Sequence, residues 1–250
     1  VLGRLGAEII PLHNRHFGHD YPYGNKIEAL ALLPPEPFLF FDSDTLVTGP
    51  VSELPLDFSR PSASSRVTGT WPEPTLYGPG RREIWGALYD RFNLDISPTL
   101  DSAWPEAHWR HYLYFNAGWY YSDNAQIFGK TFIDFATSIR RDPPPELLGQ
   151  SLDPWLDQVT LPLVIHALGG ARDGAHEGAL DGTHTCHWRW LPLLFAREND
   201  ATVAALHEVA APNWLKKVLK EHEAFHQFLY RGKGEKARAL FDRSDLPRQE

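Results

Sequence analysis

The feature that most constrains this chain is a run of four apolar residues, 38–41, that leads directly into Asp42-Ser43-Asp44. A continuous apolar run of this length is typical of a strand that is buried on both faces of a parallel sheet. In open α/β sheets, ligands lie at the carboxyl ends of the strands. The pattern therefore predicts an α/β domain with a polar site at the end of this strand.

Asp42 and Asp44 lie two positions apart, and this spacing has two interpretations. Alternate residues of an extended segment share a face, so both carboxylates can reach one ion. Hard oxygen ligands select Mg²⁺ or Mn²⁺ over zinc, and such an ion stabilises charge on a departing diphosphate. The alternative is an acidic turn whose Asp and Ser side chains cap the next segment. The apolar strand directly before the pair favours the metal site.

Helical and strand patterns alternate along the rest of the chain, which indicates an α/β domain. Periodicity predicts strands over 9–12 and 183–190, and it predicts helices over 25–33, 82–93, 124–140, 153–168 and 212–229. A strongly aromatic segment, 112–121, is interrupted by Asn116-Ala117-Gly118. We predict one domain over 1–230, followed by a charged and peripheral tail over 231–250.

Composition argues against two classes of protein. The 250 residues carry a net charge of −8 and present no general basic face, which argues against nucleic-acid binding. No apolar run approaches the roughly 18 residues of a membrane span, so we predict no transmembrane segment. The single cysteine, Cys186, cannot form an intramolecular disulfide, and this favours a cytoplasmic location.

Several blocks, in the same order along the chain, resemble glycosyltransferase family 8 and its glycogenin-like relatives. The blocks are a lysine-bearing helix, an Asp-x-Asp strand, a Phe-Asn-Ala-Gly strand, an Asp-Gln helix start and a late His block, at 25–30, 38–47, 114–119, 156–158 and 206–216. The resemblance implies a GT-A-type, Rossmann-like fold with a mixed, mostly parallel sheet flanked by helices. Because only 41 residues precede Asp42, where roughly 60 are expected, we predict that the first strands and the base-binding loop are missing.

The resemblance also implies a metal-ligand set. Asp42 and Asp44 bind the metal, and His207 is the third protein ligand. His187 is the second choice for that third position. His187 also belongs to a group with His184 and Cys186 that could indicate zinc. No second Cys/His pair with ligand spacing accompanies this group, so we interpret it as strand packing.

Donor and acceptor contacts follow from the same resemblance. The residues that it places against the donor are Lys26, Asp42, Ser43, Asn116, Ala117, Gly118 and Lys216. Asp157 and Gln158 position the sugar and the acceptor, and Asp157 is the nearest candidate for a covalent nucleophile. The late lysine of the family precedes its tryptophan, whereas Lys216 follows Trp214 here.

These observations predict a metal-dependent glycosyltransferase. It moves a hexosyl group from a nucleoside-diphosphate sugar, UDP-linked, to a hydroxyl of a saccharide, lipid or protein, and the resemblance implies retention at the anomeric carbon. One alternative is a non-catalytic, nucleotide-sugar-binding remnant of the same fold. A second is a Mg²⁺-dependent phosphatase of the haloacid-dehalogenase type. That class requires Thr or Val four residues after the first Asp, and this chain has Leu46 there.

Overall fold

The computed structural model describes residues 6–54, 56–64, 71–171, 184–187 and 191–241. The chain divides into two compact units. The first unit comprises 1–39, 57–63 and 67–172, and the second comprises 40–56, 64–66 and 173–250.

Helices and short strands alternate along the described residues, so the mixed α/β class is confirmed. The strands are β1 (Phe38–Phe41), β2 (Leu46–Val47), β3 (Ser62–Ser64), β4 (Asn116–Ser122) and β5 (Thr185–Cys186). The helices of the first unit are α1 (Gly24–Ala29), α2 (Arg81–Arg91), α3 (Ala125–Arg141) and α4 (Leu156–Ala167). Those of the second unit are α5 (Leu191–Arg197), α6 (Asp200–Ala210), α7 (Asn213–Leu219), α8 (Glu223–Phe225), continued by a π-helical turn over His226–Tyr230, and α9 (Lys233–Ala239).

The apolar run over 38–41 forms a strand, β1, as its pattern predicts. Only Phe38 of the four residues is buried and the other three are half-buried, so the predicted burial on both faces is wrong. The predicted helix over 124–140 is α3, and the Asn124 side chain caps it by accepting a hydrogen bond from the Ile127 amide. The strand predicted over 9–12 is wrong, because the structure has irregular backbone there. Ile9 and Ile10 are 73% and 45% exposed, so this apolar pair is not buried against a sheet.

Two small sheets are present among the described residues. One has three strands in the order β1-β4-β3, and the other pairs β2 with β5 in antiparallel orientation. The mostly parallel sheet of the GT-A expectation therefore remains a prediction. The structure shows no helix within the described part of the chain that is long and apolar enough to cross a membrane.

Aromatic rings fix the start of β1 against α3 in the first unit. The Phe38 ring meets the Phe128 ring edge-on, with 5.3 Å between centroids, and Tyr120 of β4 stacks on Phe128 at 5.4 Å. Such ring pairs add to the free energy that burial of the rings already provides. This packing anchors the strand that leads into Asp42-Ser43-Asp44.

Helix α3 approaches the chain after α1 so closely that only glycine fits at position 129. A Cβ there would lie 2.7 Å from the Leu30 carbonyl carbon and closer still to the Ala31 amide nitrogen. We expect Gly129→Ala to lower the free energy of unfolding by about 1–3 kcal/mol, since backbone atoms must move. Chemical denaturation measures this change.

Gly86 of α2 provides the matched control for that substitution. Nothing lies within 4 Å of a Cβ built on Gly86. Gly86→Ala should leave stability unchanged or raise it by up to about 1 kcal/mol, because alanine favours the helix. Equal losses from the two variants would contradict the close approach of α3 to Ala31.

The second unit has a hydrophobic core of its own. Buried residues from β5, α5, α6 and the π-helical turn form it: Cys186, Leu191, Leu194, Phe195, Val203, Ala210 and Leu229. The segment predicted as a charged tail contains α9, whose Arg238 donates hydrogen bonds to the Phe195 and Glu198 carbonyl oxygens. Residues 242–250 of that predicted tail lie outside the described residues.

Candidate functional site

A tight turn follows β1 and carries both aspartates of the Asp-x-Asp motif. The Thr45 amide donates a hydrogen bond to the Asp42 carbonyl oxygen at 3.0 Å, which closes the turn. Residues 46 and 47 then form β2 and pair with β5, so that Leu46 lies opposite Cys186. Continuing this antiparallel register by one step places Thr45 opposite His187. Strand pairing therefore positions the imidazole of His187 beside the turn.

The three side chains converge within the second unit. The His187 Nε2 atom lies 3.2 Å from Asp44 Oδ1 and 3.6 Å from Asp42 Oδ2. One ligand atom from each residue falls within 4.8 Å of the other two. The Asp42 and His187 side chains are 17% and 23% exposed, and that of Asp44 is 48% exposed. The group is thus fixed by its surroundings and still accessible from solvent.

Two carboxylates and one imidazole form a donor set that suits a divalent cation. Carboxylate oxygens favour Mg²⁺ and Mn²⁺, and imidazole nitrogen is a common ligand of transition metals. The Thr45 Oγ1 atom beside the pair is also buried, with no hydrogen-bond partner among the described residues. Such an orphaned hydroxyl is typical of a place where a ligand or ordered water completes the bonding. The residues present therefore fit a metal ion.

The sequence offers His207 as the first choice and His187 as the second choice for the third ligand. In the structure, His187 lies beside the two aspartates. His207 lies in α6 with its ring centroid 5.7 Å from that of Phe195, in an edge-on contact. It is not part of the Asp42, Asp44 and His187 group. Cys186 is buried in the core of the second unit, which agrees with strand packing for that segment.

A second polar group is centred on Asp157 in the first unit. Asp157 lies in the first turn of α4 and is 2% exposed. The Lys26 Nζ atom lies 3.4 Å from Asp157 Oδ2, and the Tyr21 hydroxyl lies 3.3 Å from Asp157 Oδ1. Tyr21 accepts a hydrogen bond from the Asp157 amide and donates to the Pro154 carbonyl oxygen. The resemblance places Lys26 at the sugar or phosphates of the donor and Asp157 at the sugar and acceptor, and in the structure the two side chains are direct partners.

Burial raises the pKa of the Asp157 carboxyl above its ordinary value of 3.8. The Lys26 ammonium, the Gln158 amide and the Tyr21 hydroxyl act in the opposite direction. Burial also raises the pKa of the Tyr21 and Tyr114 hydroxyls, and the charge of Asp157 adds to both shifts. Both tyrosines therefore stay neutral hydrogen-bond donors at physiological pH.

The raised pKa of Asp157 predicts a dependence of stability on pH. Below about pH 3.8 the carboxyl is protonated in both the folded and the unfolded chain. As the pH rises above that value, the unfolded chain loses the proton first, so the free energy of unfolding falls. Asp157→Asn removes this titration. Denaturation curves across acid pH give the free energy of unfolding of both proteins. The two values should agree better at low pH than at high pH, because the parent protein loses more stability as the pH rises.

The comparison is a difference between two proteins, so other titrating groups cancel. The slope of unfolding free energy against pH should be more negative for the parent chain than for Asp157→Asn above about pH 4. Superimposable slopes would mean that burial does not shift this carboxyl.

Gln158 lies next to Asp157, and Tyr114 orients its side chain. The Tyr114 hydroxyl donates to Gln158 Oε1 at 3.0 Å, which leaves the Gln158 Nε2 hydrogens as donors. In β4, Asn116 Oδ1 accepts a hydrogen bond from the Gly118 amide at 2.8 Å, while Ala117 is 2% exposed. Lys216 is exposed in α7, and Ser43 is exposed between the aspartates. The substrate roles of these residues remain predictions.

Sequence reasoning missed Tyr21 and Tyr114. Tyr21 contacts Asp157 across 136 residues of chain, and Tyr114 contacts Gln158 across 44. Tyr21 lies in a polar, aromatic loop with no periodicity, so no local signal indicates its buried position.

Comparison with known proteins gives one family match for this chain. A family model described as the Rhodobacterales glycosyltransferase domain matches residues 1–169, which is more than half of the chain. No curated protein and no solved structure matches it. The matched range includes Asp42, Asp44 and Asp157, and it ends before His187.

Proposed function

Because the chain belongs to the Rhodobacterales glycosyltransferase domain family, we propose that it transfers a glycosyl group from a nucleoside-diphosphate sugar to a hydroxyl acceptor. The observation that carries the proposal is the convergence of Asp42, Asp44 and His187. Such a donor set holds a divalent cation, and cation-assisted departure of a diphosphate is the chemistry that activates nucleotide sugars.

We assign the finer features of the reaction from the sequence resemblance. The donor is a UDP-hexose, the ion is Mn²⁺ or Mg²⁺, and the anomeric configuration is retained, as in the glycogenin-like relatives of glycosyltransferase family 8. The acceptor is a hydroxyl of a saccharide, a lipid or a protein. When bound, the ion supplies Lewis-acid stabilisation of the diphosphate as it leaves.

The residues of the Asp157 group serve the transferred sugar in this proposal. Asp157 is held by Lys26 and Tyr21, so its carboxylate accepts a hydroxyl hydrogen bond in a fixed orientation. Gln158 offers its Nε2 hydrogens to a sugar oxygen, because Tyr114 occupies Oε1. A preorganised polar group of this kind stabilises charge that develops in the transition state. Asn116, Ala117 and Gly118 line the sugar pocket, and Lys216 contacts the diphosphate.

Release of UDP tests the proposed activity. The protein is incubated with UDP-glucose or UDP-galactose and Mn²⁺, with and without simple saccharide acceptors, and free UDP is measured. Metal-dependent release of UDP supports a glycosyltransferase. Metal-dependent binding of UDP without release from any donor would instead favour a non-catalytic nucleotide-sugar-binding remnant. Release of phosphate from p-nitrophenyl phosphate would favour the phosphatase alternative.

His187 and His207 can be compared directly as third metal ligands. We expect His187→Ala to weaken Mn²⁺ binding at least about 10-fold, because it removes the proposed ligand atom, Nε2, which lies 3.2 Å from Asp44 Oδ1. His207→Ala should have the smaller effect on Mn²⁺ affinity, because the His207 ring packs against Phe195. Electron paramagnetic resonance of free and bound Mn²⁺ measures both. The reverse ranking would restore His207 as the third ligand.

A further inference from the structure

Arg140, in the last turn of α3, places its charged group against two buried aromatic rings. Its guanidinium carbon lies 5.3 Å from the centre of the Tyr21 ring and 5.9 Å from that of the Phe17 ring. At such distances a cation is attracted to the face of an aromatic ring. Tyr21 and Phe17 are 1% and 4% exposed, so little water competes with this attraction. Arg140 therefore contributes to holding the Tyr21 ring in place.

Hydrogen bonding does not account for the position of one nitrogen of this guanidinium. The Nη1 atom of Arg140 is buried and has no hydrogen-bond partner among the described residues. A buried charged donor without a partner costs free energy, so its location needs another cause. The dipole of α3 favours arginine at its carboxyl end, but it favours the exposed Arg141 equally. The ring contacts are what distinguish Arg140 from its neighbour.

The Tyr21 side chain connects this cation to Asp157. The Tyr21 hydroxyl accepts a hydrogen bond from the Asp157 amide at 3.1 Å and lies 3.3 Å from Asp157 Oδ1. A cation near a phenol ring stabilises negative charge on the phenol oxygen, so the hydroxyl becomes a stronger donor. Lys26 and Asp153 are the other charged groups that act on Asp157 or Tyr21. Arg140 thus influences both the place and the strength of the hydroxyl at Asp157.

We propose that Arg140 is a positioning residue for Asp157 and acts on it through Tyr21. In this role Arg140 contacts neither the sugar nor the diphosphate, and it fixes the ring whose hydroxyl holds the Asp157 side chain. The expected effect on turnover rests on the proposed glycosyl transfer, whereas the effect on Asp157 itself does not. An arginine that served only in packing would stabilise the chain with or without the Tyr21 hydroxyl. A positioning role requires that hydroxyl.

A double-mutant cycle with Tyr21→Phe tests this requirement, because phenylalanine keeps the ring face and lacks the hydroxyl. We expect Arg140→Met to lower the turnover number about fivefold, as for the loss of one cation–ring contact, with KM for the donor within about twofold. Arg140→Lys should lose only about twofold, since it keeps a cation. In the Tyr21→Phe background, Arg140→Met should change turnover by less than about twofold. Release of UDP from a UDP-sugar measures these rates.

A second readout needs neither donor nor metal. The Tyr21 hydrogen bond lowers the pKa of the Asp157 carboxyl against the larger effect of burial, so displacing the hydroxyl should raise that pKa further. The free energy of unfolding of Arg140→Met should therefore fall by more than that of the parent chain as the pH rises above about 4. In the Tyr21→Phe background, Arg140→Met should leave this pH dependence unchanged. Denaturation curves across acid pH measure it.

Arg141→Met is the matched control, because it removes the same side chain from the neighbouring, exposed position of α3. It should behave like the parent chain in both readouts. The inference is overturned if Arg140→Met has equal effects with and without the Tyr21 hydroxyl, or if it behaves like Arg141→Met. Arg140→Lys serves in the cycle if Arg140→Met does not fold. If the parent chain releases no UDP from any donor, the proposed function fails, and the pH dependence of stability alone decides the inference.

Discussion

The Asp44→Asn variant is expected to lose Mn²⁺ binding by more than about 100-fold. Asp44 supplies the carboxylate oxygen that lies 3.2 Å from His187 Nε2, and the amide of asparagine cannot replace its charge. Changes to groups that only support metal ligands cost about 10- to 100-fold in affinity, so loss of a ligand should cost more. Release of UDP from a UDP-sugar should fall about 1,000-fold, because the stabilisation of the leaving diphosphate is lost. Electron paramagnetic resonance and a UDP-release assay measure the two effects.

Asp134→Asn is the matched control for this change. Asp134 is an exposed carboxylate on α3 and is not part of the Asp42, Asp44 and His187 group. The Asp134→Asn substitution removes one negative charge, as Asp44→Asn does, but it leaves the turn after β1 unchanged. Retention of full Mn²⁺ affinity by Asp44→Asn, or an equal loss in Asp134→Asn, would contradict the assignment of the site.

The second large effect is expected from Asp157→Asn, in catalysis and not in metal binding. The substitution keeps the size of the side chain and removes the charge that Lys26 and Tyr21 hold in place. We expect the turnover number to fall about 100- to 1,000-fold, as when one preorganised electrostatic contact to a transition state is removed. Mn²⁺ affinity should stay within about twofold, because Asp157 is not among the three clustered ligands.

A second variant separates catalysis from folding in this experiment. Tyr21→Phe keeps the carboxylate and removes only the hydroxyl that bonds to Asp157. We expect a smaller loss of turnover, about 10-fold. The pH–activity profile of this variant should also be shifted relative to that of the parent chain. The denaturation midpoint of Asp157→Asn shows whether this variant is folded. A folded variant that turns over the donor as fast as the parent chain would contradict the role of Asp157.

The strand and the motif after it were predictable because their signals are local. Four apolar residues in a row indicate a buried strand, and two carboxylates at its end indicate an ion. The bounds of β1, 38–41, agree with the pattern. The same local rule was wrong over 9–12, where Ile9 and Ile10 are exposed. A short apolar run indicates a strand only when a neighbouring strand is available to pair with it, and a single segment does not contain that information.

The approach of His187 to the aspartates does not follow from a local signal, because it depends on pairing between two segments that are distant in the sequence. His187 reaches the aspartates only through the antiparallel match of Leu46 with Cys186. The period-2 pattern over 183–190 predicts a strand there, but nothing in that pattern identifies residues 46–47 as its partner. The chain also has 12 histidines, so residue type alone does not select one.

In the Asp157 group, too, single residues were predictable from the sequence, whereas the contacts between them were not. The resemblance pointed to Lys26 and Asp157 separately, but not to the direct contact between them. Their partnership depends on how α1 packs near α4, and the Tyr21 contact depends on a loop without periodicity. Sequence patterns identify residue types in order, whereas such packing is set by the shapes of many side chains together.

Calorimetric titration of the protein with UDP tests the central claim most directly. The titration is performed with Mn²⁺, with a chelator, and with the Asp44→Asn variant in Mn²⁺. We expect binding of UDP that requires Mn²⁺ and is lost in the variant. Binding of UDP that is the same with chelator, and the same in Asp44→Asn, would contradict a metal site formed by Asp42, Asp44 and His187.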